Sequence, residues 1–403
     1  MAARGADRPK PRSRRKSNTA RGRIVSITSE KRLLTSTDGT AWTEPILPTD
    51  QKPLSLAYGD DFFVVVCGTD TYLTSPDGVS WTARKFVPAP KPYGPHQVRF
   101  ANGIFFVAGS YHAAVSRDAL TWEPVKMDSN VTGSSFSSAG DRFFSNLPSA
   151  SASVATSSDG ETWSRTDITG SLFHYSHSHA FGNGVYISTY IAQYEYSWRQ
   201  TRIFRSSDGL LWTSLNEGGS TYRGLAYGKG MFVRGALVSS DGLNWSRGGF
   251  GWELPHRFSE SRFGDRYFYI NDRFFALLPA HPDLYFSTDG TSVESVASPV
   301  LGPCAIAWGA GRYVLVGGAT VYVESEGQIS SSSDGRSWTQ RETITSNPLT
   351  DVVYAQGTFI AASMGQEIVT SADGQTWKIL TLPGSATLAR AWLAFGNGRF
   401  VLI

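Results

Sequence analysis

Residues 75–81 read Ser-Pro-Asp-Gly-Val-Ser-Trp, and this phrase decides the fold because it recurs nine times in 403 residues. The pattern is Ser, any residue, Asp, usually Gly, two residues, then Trp. The copies are Ser36-Asp38-Gly39-Trp42, Ser75-Asp77-Gly78-Trp81, Ser116-Asp118-Ala119-Trp122, Ser157-Asp159-Gly160-Trp163 and Ser206-Asp208-Gly209-Trp212. They continue as Ser239-Asp241-Gly242-Trp245, Ser287-Asp289-Gly290-Val293, Ser332-Asp334-Gly335-Trp338 and Ser371-Asp373-Gly374-Trp377. Ala119 and Val293 are the departures. A recurring unit means a repeat architecture, in which each copy stacks on its neighbours to bury a shared core.

Working outward from residues 75–81, residues 54–85 hold four short β-prone runs. Leu54–Tyr58 ends at Gly59-Asp60-Asp61, and Phe62–Cys67 is followed by Gly68. Tyr72–Ser75 leads into Pro76-Asp77-Gly78, and Ser80–Lys85 closes the unit. The turn residues between the runs predict strands A, B, C and D in chain order. Asn183-Gly184 and Asn397-Gly398 mark A–B hairpins, since both residues tolerate positive φ. Successive phrase aspartates are 39, 41, 41, 49, 33, 48, 45 and 39 residues apart. That spacing suits one four-stranded blade each. The expected fold is all-β: a single β-propeller of about nine blades over residues 22–403, beyond the roughly four to eight that propellers usually have, so that a degenerate copy could lie outside the ring.

The termini predict how the ring closes. Ala394–Ile403 reads as an A–B hairpin with no C–D pair after it, and the first phrase has no A strand before it. The last strands are therefore expected to complete the first blade. Ile24–Ile27 also reads as a B strand, so B occurs twice. Either one copy is displaced or a further repeat is missing, and closure is the expectation adopted.

Charge splits the chain. Residues 1–23 carry nine Arg and Lys against Asp7 alone, a net +8, while the rest has 28 basic against 33 acidic residues, a net −5. The arm, taken as residues 1–21, holds Pro9 and Pro11 and no apolar run, so a secretory signal peptide is not expected. It reads as a solvated tail or as an arm (residues 4–23) that docks on an acidic partner or nucleic acid. Two cysteines, Cys67 and Cys304, exclude a disulfide framework or a Cys-based zinc site. No apolar run is long enough for a membrane span.

The phrase resembles the Asp-box, or BNR, repeat of sialidase-like β-propellers, in the short form found in microbial and phage proteins. The resemblance covers residues 22–403 and departs from the commonest form by one residue fewer between Asp and Gly. It implies that the box is a structural turn between the third and fourth strands, away from any active site. The physical chemistry agrees, because an Asp at a tight turn accepts nearby backbone N–H groups and a Trp can fill the gap between blades. Nine copies of a catalytic acid would serve no purpose.

Binding residues are expected on the face opposite these turns, where the long connections fall. The D–A connection 86–97 carries Tyr93 and His96, and the B–C connection 188–202 carries Tyr190, Tyr194, Tyr196, Trp198 and Arg199. The D–A connection 248–265 carries Trp252, Glu253, His256 and Arg257. Aromatic, Arg and carboxylate groups suit a glycan or a protein subunit; the plainer alternative is that they pack their own loops. A sialidase reading needs an arginine cluster, and Arg99, Arg223 and Arg390 belong to widely separated blades. His177 and His179 are expected to share a strand face, with His174 nearby, as polar lining more than as a metal site.

The expected function is a non-enzymatic binding or structural propeller without metal or cofactor, whose most concrete form is a virion component on a phage tail or capsid surface. The alternatives are a glycoside hydrolase or lyase on the same scaffold, and an intracellular assembly factor.

Overall fold

The computed structural model describes residues 24–27, 31–37, 42–68, 70–86, 96–109, 113–125, 135–146, 152–168, 173–194, 197–215, 224–248, 266–279, 281–319, 324–341, 345–355, 357–365, 367–381, 393–396 and 399–402. Among these residues every regular element is a strand, and the strands form nine sheets. No helix among them is long and apolar enough to cross a membrane.

Numbered in chain order, the second to ninth sheets each contain four consecutive antiparallel strands, A to D. In the second they are Ser55–Gly59, Phe62–Val66, Thr71–Ser75 and Thr82–Lys85. Strand B reads Phe-Phe-Val-Val-Val because both faces of the sheet are covered, so period-two alternation is lost. Phe63, Val64, Val65 and Val66 are all fully buried. Strand D is mostly exposed and short.

The first sheet has five strands. Its order is Trp42–Thr43, Leu33–Ser36, Ile24–Ile27, Arg399–Leu402 and Leu393–Gly396. Both B-like strands are present side by side: Val25 pairs with Val401 in parallel, whereas every other strand pairing is antiparallel. The duplicated B strand is thus inserted as a fifth strand, and it links the two ends of the chain.

The A strands lie side by side in sequence. Ser55–Gly59 is beside Gln97–Ala101, and the pairing of neighbours continues through each A strand to Leu393–Gly396. Arg399–Leu402 then lies against Ser55–Gly59. The core is divided among the seams between successive sheets. One seam joins Val25, Ile27 and Leu33 of the first sheet to Phe63, Leu73 and Trp81 of the second. The next joins Val64, Val66 and Tyr72 to Val98, Phe105 and Trp122.

One connection differs from the sequence expectation. Among the described residues of 188–202 all are strand: strand B of the fifth sheet runs Val185–Tyr194 and strand C runs Ser197–Ser206, ten residues each. Strand A, Phe173–Gly182, is equally long. No Gly, Pro, Asn or Asp occurs from Val185 to Ser206, so nothing in the chain stops the hairpin from lengthening.

Candidate binding face

The A–B and C–D turns share one side of the molecule. In the phrase at Ser75–Trp81, the Ser75 hydroxyl donates to Asp77 Oδ1 at 3.0 Å and accepts from Gly78 N at 2.7 Å. Asp77 Oδ1 also accepts from Val79 N and Ser80 N, both at 2.8 Å. The same double acceptance, between 2.7 and 3.0 Å, occurs at Asp118, Asp159, Asp208, Asp241, Asp289, Asp334 and Asp373. Asp38 lies outside the described residues.

These bonds hold the carboxyls ionised. The N–H groups of Ser337 and Arg336 bring Asp334 down to about 2 against a smaller opposing effect of burial. Those of Thr376 and Gln375 do the same to Asp373, also to about 2. Burial pulls Asp77 upward, but bonds from Val79, Ser80 and Ser75 outweigh it and leave it lowered.

The phrase tryptophans sit in the seams. The Trp122 ring is edge-on to Tyr72 and Phe86 of the second sheet at 5.5 and 5.2 Å. Trp163 meets Phe106 at 5.4 Å and Trp212 meets Phe144 at 5.9 Å, each in the preceding sheet. Trp245, Trp338 and Trp377 lie nearer their own B strands, against Phe232, Tyr313 and Phe359. Trp42 is half-buried against the ninth sheet's core, and Val293 is 37% exposed.

The phrase glycines allow close approach. Gly160 has φ +70°, and a Cβ there would stand 2.7 Å from Val115 of the third sheet. At Gly242, φ +68°, it would stand 2.5 Å from Ile187 of the fifth.

Side-chain clasps run between neighbouring turns. Asn183 Nδ2 donates to Gly230 O at 2.9 Å and Ser240 O at 2.7 Å, and its Oδ1 accepts from the Tyr227 hydroxyl at 2.5 Å. Asn102 reaches Asp141 O and Ser158 O in the same way. Lys229 Nζ donates to Thr288 O at 3.1 Å. The sequence marks Asn183 only as a turn residue; its second role depends on a carbonyl from the next repeat.

The opposite side holds the B–C and D–A connections. His96 begins the third sheet there, half-buried, with its N–H donating to Ala108 O at 2.9 Å. Tyr194 ends strand B of the fifth sheet opposite Ser197, and Trp198 and Arg199 follow in strand C. The structure thus brings these three to one hairpin and leaves His96 two sheets away. Tyr93, Tyr196, Trp252, Glu253, His256 and Arg257 lie outside the described residues, as do Arg223, Arg390 and residues 1–23.

The histidines separate. The register shifts between Ser176 and Ser178, so His177 stands at a bulge and does not keep period-two alternation with His179. His179 stacks on Phe144 at 4.2 Å, and its Nδ1 is 2.9 Å from Ser188 Oγ. Arg99, on strand A of the third sheet, is half-buried, and desolvation lowers its pKa. Its Nη1 donates to Val98 O at 3.3 Å.

Sequence reasoning missed a feature of the fifth turn. The residue before the phrase Trp is Ser, Thr or Asn in most copies, as at Ser292, whose hydroxyl donates to Asp289 Oδ2 at 2.9 Å. In the fifth sheet it is Leu211, 77% exposed, beside Leu210.

No protein-family model matches this chain, and no curated protein matches it. Among solved structures, Sqt1 of Saccharomyces cerevisiae aligns with a TM-score of 0.50 at 8% identity, over 88% of this chain and 93% of that one. The chain is a β-propeller repeat protein. At lower TM-scores it is also similar to two further propellers. YCF48 from Cyanidioschyzon merolae scores 0.41 at 13% identity, over 89% of this chain and 94% of its own. A virginiamycin B lyase from Staphylococcus aureus, solved with quinupristin, scores 0.42 at 9% identity, over 83% and 96%. At such identities the likeness concerns the fold alone.

Proposed function

We propose that the nine sheets are nine blades of one closed Asp-box propeller, acting as a non-enzymatic binding module that meets a glycan or another protein subunit through its B–C and D–A face. The observation that carries this reading is the contrast between the two sides. On the turn side, the carboxylates, glycines and asparagines of the repeats are engaged in internal bonds. On the other side, the fifth blade rises well above its neighbours, with three ten-residue strands. A scaffold that repeats on one face and departs from repetition on the other presents its specificity on the second. Residues 86–97 and 248–265 extend the same face in sequence.

Closure is supported by the unbroken sequence of neighbouring A strands and by the Val25–Val401 pairing. It is tested by Val25→Cys, Val401→Cys. Adjacent strands place Cα atoms about 5 Å apart, within disulfide reach. An intramolecular bond is expected under mild oxidation, and failure to form one in the folded chain refutes the closure. The phrase Asp and Trp residues are the structural part of the proposal. The arm, residues 4–23, is its polyanion-facing part, and placement on a virion has its support in the phrase resemblance and this arm.

The binding reading is tested by a glycan-array screen of the full chain beside a variant in which residues 191–200 are replaced by an Asn-Gly turn. Specific binding that the variant loses supports the face. Binding that survives in a folded variant removes the fifth blade from the site, and turnover of any glycoside refutes the non-enzymatic reading.

A further inference from the structure

The chain enters the first sheet on the turn side. Ile24 pairs with Ser36, where the first phrase begins, and with Phe400, one residue past the Gly396↔Arg399 hairpin. Both partners stand at the turn end of their strands. Residues 1–23, which carry the net +8, therefore join the body beside the turns. The blade next to that junction is the second. Val25 and Ile27 share a seam with Leu56 and Phe63, and Tyr58 packs half-buried on the same seam, its ring 4.7 Å from Phe63. Tyr58 stands two residues before the A–B turn Asp60-Asp61.

The four aspartates of the described A–B turns are not alike. Asp141 accepts from the Tyr186 hydroxyl, and Asp272 from the Tyr269 hydroxyl at 2.8 Å. Asp60 and Asp61 are both exposed, and neither has a hydrogen bond or ion pair among the described residues. Both also take positive φ, 42° and 65°. That conformation costs a non-glycine residue about 1 kcal/mol or more, and the turns at Asn102-Gly103, Asn183-Gly184 and Lys229-Gly230 have Gly in second place. Asp77 adds a third carboxylate on the C–D turn of the same blade, kept ionised by the N–H groups of Val79 and Ser80. Neither turn holds a Lys or Arg. The ring of Phe100 lies on Gly59, where a Cβ would stand 2.2 Å from it. The acidic turn is thus flanked by two half-buried rings, Tyr58 and Phe100.

We infer that residues 4–23 of the same chain dock on the turn side of the second blade, with arginine side chains on Asp60 and Asp61 and against the Tyr58 and Phe100 rings. A guanidinium suits both kinds of group, since its fork matches a carboxylate and its plane stacks on an aromatic face. Arg21 and Arg23 lie three residues and one residue before Ile24. Fully extended, residues 4–23 reach about 70 Å, ample to double back over an adjoining blade. The tether also holds the arm at roughly millimolar local concentration, which favours its own blade over a second copy. The inference is independent of the B–C and D–A face. It bears on the arm's polyanion role, because a polyanion must displace the arm from the second blade in order to bind it.

The test is limited tryptic cleavage of the full chain at low salt, read as the rate of cutting after Arg21 and Arg23. Asp60→Asn, Asp61→Asn keeps the turn, because Asn takes positive φ as readily as Asp, and its unfolding curve is matched to that of the unaltered chain. This variant is expected to be cut about tenfold faster, since cleavage tracks the population of the released arm. Salt at about 0.5 M should speed cutting of the unaltered chain in the same way. Asp283→Asn, Glu326→Gln, an equal change of charge on the opposite side, should leave the rate unchanged. Equal rates in all three proteins overturn the inference, and so does protection that grows with protein concentration, which would make a second copy the occupant. Polyphosphate is expected to bind the Asp60→Asn, Asp61→Asn chain several-fold more tightly than either other protein. Polyphosphate that binds none of the three, with the cleavage difference intact, removes the polyanion role and leaves the docking standing.

Discussion

The turn at Ser157–Trp163 and the hairpin at Val185–Ser206 both reverse the chain between neighbouring strands, yet they answer to different constraints. The turn must fit the preceding blade. Asp159 takes two backbone N–H groups, Gly160 leaves room for Val115, and Trp163 lies against Phe106. A change at Gly160 or Trp163 meets atoms of the preceding repeat, and Asp159 holds the turn that presents them. Among the described residues, the strand pairs of the hairpin at Tyr190–Arg202 lie within its own sheet. Repeats therefore stay alike where they touch each other and are free to diverge where they do not. In this chain the divergence takes the form of longer strands, where a loop would be expected.

The largest effect that would sharpen the contrast is Trp122→Ala. Removing a ring packed against Tyr72 and Phe86 should cost about 3–5 kcal/mol in equilibrium unfolding, and a loss below about 1 kcal/mol would mean that the ring does not hold the seam. Gly242→Ala comes next. A left-handed alanine costs about 1–2 kcal/mol by itself, and the new Cβ would also press on Ile187. Thermal unfolding should show a clear drop in midpoint, and an unchanged midpoint would mean that the seam is loose. Asn183→Ala leaves the Gly230 and Ser240 carbonyls to water in place of their shared donor and should cost about 0.5–1.5 kcal/mol.

Acid should act on the turn side first. Asp334 and Asp373 titrate near 2 in the fold, below the value of about 3.9 expected for an unfolded chain. Their contribution is complete above about pH 4 and is lost as pH falls toward about 2, because protonation is easier in the unfolded chain. The urea midpoint should therefore fall between about pH 4 and pH 2, and fall less in Asp373→Asn, which has already given up its share. The smallest effect belongs to Leu211→Ser. An exposed leucine replaced by the usual polar residue should shift stability by no more than about 0.5 kcal/mol.

Much of this was legible in the sequence. The phrase reports on local chemistry, namely a carboxylate that closes a turn and a glycine that takes positive φ, so the strands around it could be placed residue by residue. Val185–Ser206 was legible too, had the lack of turn residues been weighed above the spacing that the other blades suggest. The parallel pairing of Ile24–Ile27 with Arg399–Leu402 was not, because it joins segments far apart in sequence and no local pattern reports it. The bulge at His177 was equally hidden, since one extra residue in a long strand leaves no mark in composition. Of the candidate binding residues, Tyr194, Trp198 and Arg199 share a hairpin that spacing alone would have drawn as a loop.

The most direct measurement is ligand binding and equilibrium unfolding of the full chain in which residues 191–200 are replaced by Asn-Gly, read side by side. The account predicts an unfolding midpoint close to that of the unaltered protein together with loss of binding. Retained binding, or a destabilisation as large as that of Trp122→Ala, would contradict it.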